Sequence, residues 1–311
     1  MRDKDGLEGY MNNFLGVRHA LPQMLDAFEE HGVKATFATV GLLFFDNKAQ
    51  MVASLPGIRP SYANQYLSPY ESHLGQVGED EATDPLHFGA SLIRLIQQRP
   101  QHEIASHTFS HYYCLERGQN EEQFEADLKA AVEAAKAMGV TLRSLVFPRN
   151  QFNPSYLAVC QNHGIQAFRG NENNWLHQAR SNDQESLLRR GMRFLDTWLD
   201  LTGPNCHPWP LKQAGSPVNI PSSRFLRPWD QRLRMLENLR LKRITRAMEH
   251  AAHTGTIFHL WWHPHNFGVH TARNIAVLRA VLGHFNRMKE EYGMQSLTMA
   301  EVADKVLADA S

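Results

Sequence analysis

Cysteine is scarce: Cys114, Cys160 and Cys206 are the only three in 311 residues, too few and too scattered for a disulfide framework. That usage points to a reducing, cytoplasmic setting. Net charge is missing as well. The chain carries 32 basic and 32 acidic residues, which removes the basic excess of a nucleic-acid binder. No uninterrupted apolar run reaches the roughly 18 residues that a membrane span needs. The opening Met1-Arg2-Asp3-Lys4-Asp5-Gly6 has no apolar core of a signal peptide. No internal repeat is visible.

Histidine, by contrast, is abundant, with 17 copies. The length suits one large α/β domain spanning 1–311. Apolar periodicity predicts an amphipathic helix over 17–31, ended by Gly32, and then a strand over 33–40. Strands are expected to end at Ser106, at Pro148, at Arg169, at Trp262 and near Leu297. Helices fall between them, over 88–98, after a capping box at Asn120 and Gln123, from Asn153-Pro154 to Gly164, over 233–253 and over 272–291. A second capping box, Thr298 with Glu301, opens the last helix. Residues 46–88 and 199–229 are rich in proline and aromatics and read as irregular excursions over a rim. Strands alternating with helices predict parallel βα units, consistent with a distorted (β/α) barrel, whose active site would lie at the C-terminal strand ends.

The stretch His102-Glu-Ile-Ala-Ser-His107-Thr-Phe-Ser-His111 runs from a strand into two histidines four residues apart. On a helical turn such a pair shares a face and can close on one metal ion. About one such pair is expected by chance at this histidine content, so the spacing alone is weak. His259 and His263 repeat the spacing, but on a strand, where two rings do not converge in the same way. Trp261 and Trp262 are consecutive on that strand, so one faces the mouth side and the other the helices. Cys114 reads as an ordinary buried thiol.

Four segments in order carry a family resemblance: Gly32-Val-Lys-Ala-Thr-Phe-Ala-Thr-Val-Gly41, Ser106-His-Thr-Phe-Ser-His111, Phe147-Pro-Arg-Asn-Gln151 and Phe258-His-Leu-Trp-Trp-His-Pro-His265. Together they resemble the polysaccharide deacetylases with a NodB-type domain. The family's first motif, an Asp-bearing strand end that supplies a metal ligand and the catalytic base, has no counterpart, so the first barrel strand is expected to be missing. The resemblance implies a divalent ion, most simply Zn²⁺, on His107 and His111. It implies an Arg149 that orients the catalytic carboxylate and a general acid at His263, with His265 as competitor. Carbohydrate contacts are expected from Trp262, Trp175, Asn150 and Glu172. The substrate class implied is an N-acetylated sugar of a bacterial surface polysaccharide or its precursor. Two alternatives stay open: a non-catalytic carbohydrate-binding relative, and a hydrolase of small cyclic amides. An unpaired barrel edge also leads us to expect self-association.

Overall fold

Thr36-Phe-Ala-Thr39 combines β-branched and aromatic residues, the composition that suits a pleated, half-buried surface. It forms β1 in the computed structural model, which describes residues 4–172, 174, 176 and 187–309. In chain order the elements are α1 Lys4–Glu30, β1 Thr36–Thr39, α2 Lys48–Ala53, α3 Pro69–Ser72 and α4 Ala90–Gln97. Next come β2 Glu103–Ser106, α5 Glu121–Ala137, β3 Ser144–Val146, α6 Leu157–Asn162, β4 Ala167–Arg169 and α7 Leu187–Leu195. The chain finishes with β5 Val218–Asn219, β6 Arg224–Phe225, α8 Glu237–Thr254, β7 Leu260–Trp261, α9 Thr271–Tyr292 and α10 Met299–Ala308.

β1 to β5 make a parallel sheet in chain order, with Phe37 opposite Ile104, Ser106 opposite Leu145 and Leu145 opposite Phe168. Ile104, Ala105 and Ser106 of β2 and all three residues of β3 are buried, as strands covered on both faces by crossover helices must be. A second pair, β6 and β7, is also parallel. One extended segment joins the two sheets. Ile220 and Ser222 donate their N–H groups to Phe168 and Gly170, and Ser223 and Leu226 then donate to His259 and Trp261. The wall therefore runs continuously from β1 to β7, with active-end residues at the C-termini of its strands.

Three expectations need correction. Residues 218–226 belong to this wall and not to a rim excursion; their prolines sit before and between the two short strands, where no ladder N–H is needed. Residues 295–297 form no strand, because Ser296 ties its hydroxyl to the backbone of Lys34 at 2.9 and 3.3 Å and takes the place of a ladder. The last strand is confined to Leu260–Trp261, since Ile257 instead bridges His207 in the antiparallel sense. Both capping boxes are formed.

The wall does not close among the described residues. β1 pairs only with β2, and β7 only with β6. Among the described residues before β1, Lys4–Glu30 is helical and no strand is formed. The ring of Phe28 from α1 spans the opening on the helical side, 6.4 Å from Phe37 and 6.0 Å from Trp262. No described helix is long and apolar enough to cross a membrane.

Helix α1 begins well before the expected residue 17, and its early turns lie on the 264–268 turn that follows β7. Gly16 and Gly268 make this approach possible: a Cβ on Gly16 would stand 2.1 Å from the Gly268 carbonyl oxygen. In an isolated helix Gly→Ala gains about 1 kcal/mol. Here the backbone contact should dominate, so Gly16→Ala is expected to destabilise the protein by about 1–3 kcal/mol, the usual range for overpacking. Urea unfolding checks the sign. A more stable variant would mean that α1 does not dock on this turn.

Candidate metal and amide-hydrolysis site at the barrel mouth

The site begins where β2 ends. His107 donates its backbone N–H to Thr39 at 2.9 Å, the last rung between β1 and β2. The chain then turns through Thr108 and His111 with φ of 62° and 61°. The two histidines are thus presented by a tight left-handed loop and not by the expected helical turn. Their rings nevertheless meet, with centroids 4.8 Å apart at an interplanar angle of 69°. The His107 Nδ1 pairs with the Val146 carbonyl at 2.6 Å, so Nδ1 carries the proton and Nε2 keeps its lone pair. The His111 Nδ1 lies 3.1 Å from the Tyr113 hydroxyl.

What holds this loop is Asp127, a fully buried residue of α5. Its carboxylate accepts the N–H of Phe109 at 2.7 Å, the N–H of Ser110 at 3.1 Å and the Ser110 hydroxyl. From the other side the loop carbonyls of Thr108 and Phe109 accept the N–H groups of Gly41 and Leu42 at 2.9 and 3.0 Å. A Cβ on Gly41 would come within 2.8 Å of the Phe109 Cα, so only glycine lets the two backbones touch.

Burial drives the electrostatics. The His107 ring is held well below the usual imidazole range, first by desolvation and then by His111. His111 is pushed down to about 4 by desolvation, Arg149 and His263. Neutral rings with free nitrogens suit a divalent cation. The fit is partial, however: among the described residues no group of three His, Cys, Asp or Glu side chains could hold a metal ion. The carboxylate partner is not supplied by any of them.

The opposite wall is the end of β7. His263 is exposed by area, yet its ring stacks on His265 at 5.2 Å and 17° and abuts Trp261 at 5.6 Å. Crowding by these rings, then the His265 and Arg169 charges, pushes it down to about 4. It is also close enough to His107 and His111 to depress both. His265 points away, against Phe14 of α1 at 4.9 Å. Arg149 has a left-handed backbone, φ 54°, and lays its guanidinium 4.2 Å over the Tyr113 ring, with Glu116 3.9 Å away. Among the described residues Glu116 is the acid it meets.

Trp262 does not reach the mouth. It packs on Phe28 and stacks on Phe267 at 5.9 Å within the helical layer, and strand alternation gives the mouth to Trp261. Asn150 and Glu172 line a side cavity, of about 270 Å³, next to the histidines. Glu172 is buried and pushed up to about 8 by desolvation. Trp175 lies outside the described residues. Sequence reasoning passed over Arg169 at the end of β4. Its guanidinium sits 4.2 Å over Trp261, donates to Asn150 at 2.6 Å and is lowered to about 10 by burial. Its strand-end position was the available signal. Asp127 gave none, because a lone acid inside a polar helix reads as solvated.

Two outcomes follow. Asp127→Asn leaves loop N–H groups facing an amide, and should cost about 1–3 kcal/mol in urea unfolding; an unchanged midpoint would show that the loop holds itself. The second concerns pH. His102, His107, His111, His259 and His263 all have folded values depressed to about 4 or well below the ordinary 6.5. Their stabilisation is full above about 6.5 and is lost as pH falls through the folded values. Asp127, raised to about 6, and Glu172 act in the opposite sense, two groups against five. Metal-free protein should therefore lose stability steadily from pH 7 to pH 4.5, and a flat urea midpoint over that range would contradict the buried, neutral state of these rings.

Comparisons with known proteins bear on the family and the fold. A family model described as polysaccharide deacetylase matches residues 9–168. A solved structure from Mycobacterium smegmatis, described as a polysaccharide deacetylase, superposes with a TM-score of 0.55 at 18% identity, covering 95% of this chain and 79% of that one. One described likewise from Pseudomonas aeruginosa gives 0.50 at 13%, with 93% and 73% covered. Puue allantoinase gives 0.52 at 12%, with 94% and 74% covered. At these identities the solved structures attest the fold alone. No curated protein matches the chain. The family match spans half of the sequence, from α1 to the end of β4 and through the histidine loop, and the chain belongs to the polysaccharide deacetylase family.

Proposed function

We propose that the protein hydrolyses the N-acetyl group of an amino sugar in a bacterial surface polysaccharide or its precursor, releasing acetate and leaving a free amine. The observation that carries this reading is the meeting, at one mouth, of the His107 and His111 rings with His263 from the facing wall. His107 and His111 would hold a divalent ion, zinc by its preference for nitrogen ligands. Bound there, such an ion supplies Lewis-acid polarisation of the amide carbonyl and eases ionisation of a water.

The chain's own residues do the rest. His263 is neutral at pH 7 and so has the lone pair to take a proton from the attacking water. The hydroxyl adds to the acetyl carbon. As the C–N bond breaks, His263 returns that proton to the departing nitrogen, so one ring serves both transfers. Arg169 and Arg149 place positive charge where negative charge develops on the carbonyl oxygen. Trp261 meets His263 edge to face and carries Arg169 over its ring, so it fixes both beside the sugar. His265, wedged between His263 and Phe14, positions His263 from behind.

A second reading, carbohydrate binding without catalysis, is favoured by one observation: no described carboxylate joins the histidine pair. Acetate release from an N-acetylated oligosaccharide separates the two. His263→Ala is expected to lower turnover by about 10²–10⁴-fold with metal content unchanged. His107→Ala should lose metal and activity together. The wild-type rate should fall as pH drops toward 4, where His263 and His111 both take up protons. Sugar binding with no acetate released establishes the second reading. Opening of a small cyclic amide without acetate release would move the assignment to another amide hydrolase.

A further inference from the structure

Beside the mouth lies the cavity of about 270 Å³ walled by Arg193, Arg224, Arg227, Arg240, Glu172 and Trp261. Four arginines from three elements around one small space is a costly arrangement, since each desolvated guanidinium repels the next. Carboxylates offset part of it. Arg224 and Arg243 share Asp196 at 3.3 and 3.1 Å, Arg243 also meets Asp200 at 2.6 Å, and Arg240 meets Glu237 at 2.5 Å. Arg227 has no acid within ion-pair distance among the described residues; its guanidinium lies 4.8 Å over the Phe194 ring.

The orphaned atoms are nearly all donors. The Nε groups of Arg224, Arg227 and Arg240 and the indole Nε1 of Trp261 are buried without any acceptor, and each belongs to a residue lining the cavity. Arg224 and Arg240 are 6% and 3% exposed. The Asn171 Oδ1 is the one orphaned acceptor there, suited to a hydroxyl. Buried polar groups are satisfied in native structures, so a set this one-sided points to a missing acceptor. Planar guanidinium forks match a carboxylate or phosphate in geometry as well as charge. The cavity also shares Trp261 with the mouth, where that ring touches His263.

We propose that this cavity is a subsite for an oxyanion substituent, a carboxylate or a phosphate, on the glycan that presents its acetamido group at the mouth. The inference rests on the deacetylase reading for the identity of that glycan, not for the anion site itself. Arg227 is the anchoring residue: among the described residues no acid stands within ion-pair distance of it, and Asp230 acts on it only from farther away. Of the two acids that line the cavity, Asp196 is already paired with Arg224 and Arg243, and burial pushes Glu172 up toward its neutral form.

The test is calorimetric titration of the whole protein with inorganic phosphate, with D-glucuronate and with D-glucose, at matched ionic strength. At least one anion should bind while glucose does not. Phosphate alone would identify a phosphorylated sugar, and glucuronate a uronate-bearing one. Arg227→Ala should weaken that binding at least tenfold, with Arg227→Lys in between, because lysine keeps the charge and loses the fork. Melting curves of both variants confirm that they fold; relief of repulsion should keep Arg227→Ala at least as stable as wild type. Absence of binding by either anion at millimolar concentration, or equal binding by Arg227→Ala, would overturn the proposal. Acetate release from a neutral N-acetylated oligosaccharide without anion binding leaves the deacetylase reading intact and removes this one. Anion binding without acetate release does the reverse.

Discussion

Everything at the mouth depends on one buried carboxylate. Asp127 sits in α5 with no solvent contact and turns its oxygens toward the backbone of the His107–His111 loop. That loop holds two non-glycine residues in the left-handed region, a conformation that costs about 1–3 kcal/mol each unless the surroundings impose it. The acid imposes it from below, and the Gly41 turn from the side. With the loop fixed, the Val146 carbonyl sets the His107 tautomer and leaves the Nε2 of that ring unprotonated. A helix would have shown the same spacing without needing any of these partners. The protein instead uses a loop whose shape is dictated by one buried side chain, Asp127, and by backbone groups of Gly41, Leu42 and Val146.

The facing wall is built differently. β7 is two residues long, and the residues after it are held by rings: Trp261, Phe225 and His265 surround His263, and Phe14 backs His265. Burial on both walls disfavours charge on the imidazoles, and the nearby Arg169 and Arg149 disfavour it further. The result is a mouth whose imidazoles are held neutral, the form in which a ring nitrogen can take a metal ion, with the cations Arg149 and Arg169 close by. The side cavity extends this polarity beyond the reacting centre, so that the same cationic wall serves recognition.

The sequence made the strand–helix alternation legible because short apolar runs alternate with amphipathic helices over β1 to β4, and because both capping boxes have their acceptor and donor three residues apart. It could not show which of Trp261 and Trp262 faces the mouth: alternation fixes that they differ, and the sign depends on the twist and on Phe28 filling the opposite side. The 218–226 segment looked like a rim because short wall strands flanked by proline carry no period-2 signal. Asp127, Arg169 and the arginines of the side cavity were illegible for a common reason. A charged residue in an isolated sequence reads as solvated, and only tertiary contact reveals that it is buried and aimed.

The most direct measurement is crystallographic: anomalous scattering across the zinc edge from crystals of the protein grown with zinc. A single strong peak between the Nε2 atoms of His107 and His111, lost in His111→Ala, is the expected result. No peak there, or a peak held elsewhere that survives the substitution, would contradict the central assignment of this mouth as a metal-assisted amide-hydrolysis site.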